Sequence, residues 1–199
     1  MTTADDFQAA LENLAQDSES HVLEVYAAYT LAQLDAAAAT ALIAVRINFA
    51  NAAAVSLADA YVVSAIEELG EPATSVGLLY EDQGERLTQA VDTILTEPTE
   101  FTPEDRLTRL AHAEPFSTAQ KASVDAMSKQ PLVEGWQRQF ESAKPCKLCV
   151  FIARIGPDGP RVWPKNHPFQ VMHTGDKCVP KIVLRQHIQP TGRRRRNGR

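Results

Sequence analysis

The stretch HVLEVYAAYTLAQLDAAAATALIAVRINFANAAAVSLADAYVVSAIEEL, residues 21–69, decides the fold of this chain. It holds no glycine and no proline, and it is rich in alanine, leucine and glutamate, which favour an α-helix. Gly70 and Pro72 follow it and supply a helix stop. Its last third carries one apolar stripe at three- and four-residue spacing, made of Val55, Ala58, Val62, Ala65, Ile66 and Leu69. The stretch therefore predicts packed helix.

Alanines cluster in the middle of this helical stretch, at residues 36–39 and 50–54. Small side chains let helix backbones approach closely, so we expect a helical hairpin or bundle, either within the chain or completed by another subunit. A coiled coil is disfavoured, because large Leu or Ile side chains are missing from most of the seam positions that it needs. The pattern leaves open whether the region is one rod or a hairpin.

Apolar runs in the chain are short. The longest, residues 36–45, falls well below the roughly 20 residues that cross a bilayer. The N-terminus, MTTADDFQAALENL, is acidic and lacks the basic segment that opens a signal peptide. We therefore expect a soluble protein that is made in the cytoplasm and has no membrane partner.

Three further helices are predicted in the first two thirds of the chain. One covers residues 81–95. The next has Thr102 as its N-cap, with a proline at the first helical position, and it runs over residues 103–113. The third is capped by Ser117 and continues to residue 129.

The pattern changes near Pro131. Aromatic and β-branched residues then come in short bursts separated by glycine and proline, which is typical of strands and turns. The chain is therefore predicted to be mainly α, in three parts. A helical bundle or hairpin covers residues 1–130, a small α+β Cys/His module of the zinc-knuckle type covers residues 131–189, and a disordered basic tail covers residues 190–199.

Charge is distributed unevenly along the chain, whose net charge is −5. Residues 1–100 hold two arginines against 17 acidic residues, and the remainder holds 18 basic against 8 acidic residues. Two faces with different partners would produce this asymmetry, as would attraction between the halves within one chain or between copies, or simple solvation of each half. The tail is predicted to bind nucleic-acid phosphates or an acidic partner protein through Arg193, Arg194, Arg195, Arg196 and Arg199.

All three cysteines lie in the last third of the chain. Cys146 and Cys149 form a Cys-x-x-Cys pair, and Cys178 follows 29 residues later, close to His173. A Cys-x-x-Cys turn places two thiolates on one knuckle, and two ligands from a distant segment complete a tetrahedral zinc site. These four residues therefore form a candidate Cys3His site, in which the metal would hold a short, loop-rich segment together.

Three other interpretations of the cysteines stay open. A redox Cys-x-x-Cys pair belongs to a βαβ unit, and the sequence shows no such unit. A disulfide between two of the cysteines requires oxidising surroundings. The thiols could also be buried without any ligand. The spacing favours the metal site over each of these interpretations.

A series of short motifs connects the cysteines with the preceding helices. They read Arg109-Leu110-Ala111, Glu114, Ala119-Gln120, Ala126-Met127, Gly135-Trp136-x-Arg138, Cys146-x-x-Cys149, Trp163 and His173-x-Gly175-x-x-Cys178-x-Pro180. In this order and spacing the motifs resemble the C-terminal region of phage Mu F-like minor capsid (head morphogenesis) proteins of actinobacterial phages. In that family the last motif reads His, two residues, Cys, one residue, Cys. Asp176 stands where the first of those cysteines would be.

The resemblance implies a structural protein that acts in head assembly, near the portal or inside the capsid, and that is localised in the virion after assembly in the host cytoplasm. The implied partners are the portal and/or major capsid protein, further copies of the chain, and packaged DNA contacted by the basic tail. The implied cofactor is structural zinc, with Asp176 or Cys178 as the fourth ligand; the alternative is a hydrogen-bonded remnant without metal. A capsid maturation protease and a zinc-bearing nucleic-acid-binding protein are the alternative functions.

Candidates for catalysis are sparse. His112, Glu114 and Ser117 are close in sequence but lie in no catalytic motif, and nothing marks His187 or Asn166 as residues of a zinc nuclease. Without metal, Cys146 would be the best candidate nucleophile. The sequence therefore predicts that the chain is not an enzyme.

The two tryptophans admit two interpretations. Trp136 and Trp163 lie near arginines, as residues that stack on nucleic-acid bases often do. More commonly, such residues form the hydrophobic centre of a small metal module, and this is the role that we predict for them.

Overall fold

The computed structural model describes residues 2–140, 144–153, 160–171, 173 and 175–185. Within these residues the chain forms five helices and three strands, so the prediction of a mainly α chain with a small α+β C-terminal part is confirmed. The basic tail lies outside the described residues. In chain order the elements are α1 (Thr3–Thr30), α2 (Ala36–Glu68), α3 (Gly84–Thr96), α4 (Pro103–Lys129), β1 (Val133–Gln139), α5 (Lys147–Ala153), β2 (Trp163–Pro164) and β3 (Val179–Leu184).

The long helical stretch is a hairpin and not one rod. The break covers residues 31–35, where Ala32 adopts a positive φ of 57°. Asp35 then caps α2, since its side chain accepts the backbone N–H of Ala38 at 2.7 Å. The two arms, α1 and α2, pack against each other along their length.

Helix α4 corrects one prediction. We expected two helices over residues 103–129, but a single helix runs through Pro115. The proline ring removes one backbone donor from the ladder. Ala111, Pro115 and Phe116 are all buried, so tertiary packing against α1 and α2 overrides this local cost. The N-terminus is as predicted, because Thr102 accepts the N–H of Asp105 at 3.1 Å.

Helix α2 is the central helix of the bundle. By length and composition α2 is long and apolar enough to cross a membrane, contrary to the expectation from the short apolar runs, and 44% of its most apolar stretch is buried within the chain. It contacts α1, α3, α4 and β3. Such burial is also a property of a core helix in a soluble protein. Leu42, Val45 and Phe49 are the large apolar side chains that α2 leaves exposed.

The segment between α2 and α3 is fixed to the bundle by one carboxylate. Asp59, only 6% exposed, accepts the Ser75 hydroxyl at 2.6 Å and the backbone N–H groups of Val76 and Gly77 at 3.1 and 3.0 Å. Burial alone would raise the pKa of Asp59, but these hydrogen bonds outweigh burial and lower the pKa. An extended segment without its own secondary structure is thereby held against α2.

Replacing Asp59 with alanine is expected to lower the free energy of unfolding by about 3 kcal/mol, since hydrogen bonds to a charged group contribute roughly 1.5–3 kcal/mol each and are not additive. Because the folded pKa is lowered, the stabilisation is present above the ordinary value of 3.8 and is lost as the pH falls through the folded value. Urea unfolding between pH 7 and pH 3 measures both effects. Glu67→Ala, on the exposed side of α2, is the control; an equal loss in both variants would contradict the prediction.

The sheet shares one hydrophobic core with α1, α2 and α4, whereas α3 packs in a second cluster with other residues of those three helices. Strand β1 is central, with β2 and β3 antiparallel on either side of it. Phe7 stacks on Tyr61 at 4.2 Å between ring centroids, and the Tyr61 hydroxyl donates to the Pro180 carbonyl oxygen at 2.8 Å. The same core continues into Trp136 and Val179. The change from helix to strand falls near residue 131 as expected, and the division into separate domains there stays a prediction.

Candidate metal centre

The first half of the site is the start of α5. The backbone N–H of Cys149 donates to the Cys146 sulfur at 3.3 Å, and the N–H of Val150 donates to the Cys146 carbonyl oxygen at 3.1 Å. This turn places both sulfurs on the same side of the knuckle. Cys146 is exposed, whereas Cys149 is only 2% exposed.

The second half is the segment that leads into β3. The N–H of Asp176 donates to the His173 carbonyl oxygen at 3.0 Å, and Gly175 between them has a φ of 82°, which glycine adopts without strain. Gln120 of α4 anchors the segment, because its side-chain amide donates to the carbonyl oxygens of Asp176 and Cys178 at 2.6 and 2.8 Å. The position of this segment therefore depends on the helical bundle.

All five predicted ligand residues meet around Cys149. Among the described residues they form two overlapping groups, Cys146–Cys149–His173 and Cys149–Asp176–Cys178, and within each group the ligand atoms lie within 4.8 Å of one another. The first group is largely open to solvent, and the second is buried. Cys149 belongs to both, so it is the residue on which any metal site here depends.

The distance between the Cys149 and Cys178 sulfurs fits a shared metal ion better than a disulfide. The sulfurs of Cys149 and Cys178 are 3.7 Å apart, and all three cysteines are free. Two sulfurs bound at about 2.3 Å to one tetrahedral zinc ion are separated by about 3.8 Å, whereas a disulfide bond is about 2.05 Å long. The donor set of soft sulfurs with one imidazole is also the set that zinc prefers.

The pKa values of the three thiols are shifted in different directions. Hydrogen bonds from the backbone and side chain of Cys149, together with one from His173, lower the pKa of Cys146 to about 7. Burial raises the pKa of Cys149, and its hydrogen bond with Cys146 adds to the rise. Burial, and then the negative charge of Asp176, raise the pKa of Cys178. Cys146 is thus the thiol that ionises most readily at neutral pH.

Sequence reasoning missed Arg138 as a residue of this site. Its guanidinium donates to the Asp176 carboxylate at 2.9 Å, and both side chains are fully buried. The same nitrogen lies 3.7 Å from the Cys149 sulfur. The guanidinium also donates to the Gln170 carbonyl oxygen and lies over the Phe169 ring, 4.2 Å from its centroid. Arg138 belongs to the Gly-Trp-x-Arg motif, which was the one available signal.

The two tryptophans lie in the core beside the site. Trp136 is 1% exposed and Trp163 is 8% exposed, and their ring centroids are 5.8 Å apart. The indole N–H of Trp136 donates to the His167 carbonyl oxygen at 3.1 Å, and the His167 ring packs against Trp163. These positions match the predicted hydrophobic centre. His167 is outside both ligand groups.

The basic C-terminal part contacts the acidic helix α1 of the same chain. The Lys177 amine lies 2.6 Å from the Glu12 carboxylate, and the Gln8 side-chain amide donates to the Lys177 carbonyl oxygen at 3.1 Å. The Gln139 amide donates to the Asp5 carboxylate at 3.1 Å. Some of the opposite charges of the two halves therefore pair with each other within one chain.

The residues considered for catalysis make separate contacts. The His112 ring lies 3.4 Å from the Glu12 carboxylate, whereas Glu114 forms two hydrogen bonds with Arg86, at 3.0 and 2.5 Å. Ser117 is an internal residue of α4 and does not cap a helix.

Some of the predicted residues fall outside the part of the chain that the structure describes. They are the tail arginines Arg193, Arg194, Arg195, Arg196 and Arg199; His187, which the sequence does not mark as catalytic, also lies outside the described residues. Comparison of the chain with protein-family models, with curated proteins and with solved structures gave no match.

Proposed function

We propose that this chain is a structural, non-enzymatic protein whose C-terminal part is held together by one zinc ion on Cys146, Cys149, His173 and Cys178. The observation that carries the proposal is that Cys146 and His173 form one ligand group with Cys149, and that Cys178 belongs to a second group with Cys149, although the residues come from two segments that are distant in sequence. Zinc bound there would link α5 to the segment before β3.

Cys178 is preferred to Asp176 as the fourth ligand. Asp176 already accepts the Arg138 guanidinium at 2.9 Å and, through its other oxygen, the N–H of Cys178 at 3.1 Å. The Cys178 sulfur lies 3.7 Å from that of Cys149. Three thiolates and one histidine would leave no open position for a reacting water, which is the arrangement of a structural zinc site.

Metal removal tests this proposal. Protein purified under reducing conditions is expected to contain one zinc ion per chain by elemental analysis. If zinc is supplied at 1,000 times its dissociation constant, it contributes about 4 kcal/mol. Chelation should therefore lower the thermal midpoint by roughly 8–16 °C, and added zinc should restore it. Protein without zinc would refute the site, and two zinc ions per chain would indicate a site in which Cys149 bridges two metals.

We further propose that the chain acts in phage head assembly, with the portal or major capsid protein as partner. The motif resemblance to Mu F-like minor capsid proteins supports this proposal. The exposed apolar side chains of α2 offer a surface for such a partner or for further copies. Packaged DNA would be contacted by the basic tail.

Coexpression with the portal and major capsid proteins of the same genome tests the assembly role. The chain is expected to purify with assembled head particles, and its omission should reduce the yield of closed heads. Particles that form normally without it would contradict the role. Cleavage of the major capsid protein by the purified chain would favour the protease alternative.

A further inference from the structure

Arg138 is a fully buried charged side chain at the metal centre. It lies on β1 next to Trp136, and neither its side chain nor that of Asp176 is exposed to solvent. A guanidinium is costly to bury unless its donors are paired, and here two of its three nitrogens are paired, with the Asp176 carboxylate and the Gln170 carbonyl oxygen, whereas Nε has no hydrogen-bond partner among the described residues. Packing on the Phe169 ring fixes its plane.

The guanidinium also faces one of the sulfurs. One of its nitrogens lies 3.7 Å from the Cys149 sulfur. One of the three proposed thiolate ligands therefore contacts a buried N–H donor. Three thiolates exceed the charge of one divalent ion by one negative charge, so a donor at this place stabilises the metal-bound form.

We propose that Arg138 is the positioning residue that decides which side chains bind the metal: it retains Asp176 as its own counter-ion and leaves the thiolates of Cys149 and Cys178 to bind the ion. This inference rests on the proposed zinc site. Arg138 must hold Asp176 away from the metal, because the second carboxylate oxygen of Asp176 lies 3.9 Å from the Cys149 sulfur and belongs to the buried ligand group. A carboxylate released there would compete with Cys178 for the metal.

The experiment uses the full chain and two metals. Zinc affinity is measured by competition with a chelating dye under reducing conditions, for wild type and for Arg138→Met. The variant is expected to bind zinc about 10- to 100-fold more weakly, as observed when groups that hold metal ligands are removed. Cobalt(II) then replaces zinc, since the intensity of sulfur-to-cobalt charge-transfer absorption reports the number of bound thiolates.

The cobalt spectra separate a positioning role from a packing role. Wild type should show the intensity of three thiolates. For Arg138→Met, the intensity should fall toward that of two thiolates, because Asp176 displaces Cys178. For the double variant Arg138→Met with Asp176→Leu, the intensity should return to that of three thiolates, because the competing carboxylate is gone. A residue that acts only through packing would lower stability without changing the number of thiolates, and that result would overturn the inference.

Controls keep the outcomes distinct. Arg185→Met removes an arginine from the strand end beside β1, where the side chain is 75% exposed, and it should leave affinity and spectrum unchanged. If Arg138→Met does not fold, Arg138→Lys takes its place: lysine keeps the charge but cannot hold Asp176 and Gln170 together, so the same loss of one thiolate is expected. Wild type without metal would refute the zinc site itself. Wild type with three thiolates and an unchanged spectrum in the Arg138 variant would refute only the role of Arg138.

Discussion

Replacing Gly135 with alanine is expected to lower the free energy of unfolding by about 3 kcal/mol and to separate β2 from β1. A β-carbon at Gly135 would lie 2.0 Å from the Trp163 carbonyl oxygen and 3.0 Å from a Val162 methyl carbon. The nearest of these atoms belongs to the backbone, so a rotamer change cannot relieve the clash. Gly135 and Trp136 pair with Pro164 and Trp163, and β2 must therefore move.

Urea unfolding followed by tryptophan fluorescence measures this effect, because the Trp136–Trp163 stack spans the two strands. Gly84→Ala is the matched control. Gly84 begins α3, and a β-carbon there would lie 3.1 Å from the Asp82 carboxylate oxygen, so this side chain needs to shift by only a few tenths of an ångström. The control should change stability by less than about 1 kcal/mol. Equal effects at the two glycines would show that the close approach of β2 is not required.

Replacing Cys149 with serine is expected to abolish zinc binding and to destabilise the protein even without metal. Cys149 is the residue shared by both ligand groups. With zinc at 1,000 times the wild-type dissociation constant, loss of the metal removes about 4 kcal/mol of stabilisation. A buried hydroxyl without an adequate partner costs roughly a further 1–3 kcal/mol.

Cys146→Ser separates these two contributions, because Cys146 is exposed and Cys149 is buried. Both variants should lose the stabilisation that depends on zinc. In the presence of a chelator, Cys146→Ser should unfold like wild type, whereas Cys149→Ser should remain less stable. Zinc retained by Cys149→Ser at one ion per chain would contradict the shared-ligand arrangement.

Helix content was predictable from the sequence, whereas the places where helices end were less so. Residues 21–69 lack glycine and proline, and the break at residues 31–35 depends on Asp35 as a cap and on Ala32 with a positive φ. Alanine has no local preference for that conformation. At Pro115 the prediction of a helix end was wrong. Proline normally ends a helix, but here burial against α1 and α2 stabilises a continuous α4.

The clustering of the candidate ligand residues was predictable, because a Cys-x-x-Cys pair with a later His/Cys segment is typical of one metal site. The role of Arg138 at the site was not predictable, since an arginine in a strand usually faces solvent. Its burial depends on Asp176, which is 38 residues later in the chain. No periodicity connects two residues so far apart, and the fold alone brings them together. The role of Asp59 was hidden for the same reason, because its partners lie beyond the end of its helix.

The contact between α1 and the segment that enters β3 also constrains the order in which the protein matures. Gln8 and Lys177 are 169 positions apart, so at 5–20 residues per second a ribosome needs roughly 8–34 s to supply the second partner after the first. During that interval the hairpin of α1 and α2 can form, but Phe7, Leu11 and Tyr61 lack the strand that completes their core. Nascent chains halted before β3 therefore present this end of the hairpin to chaperones and proteases.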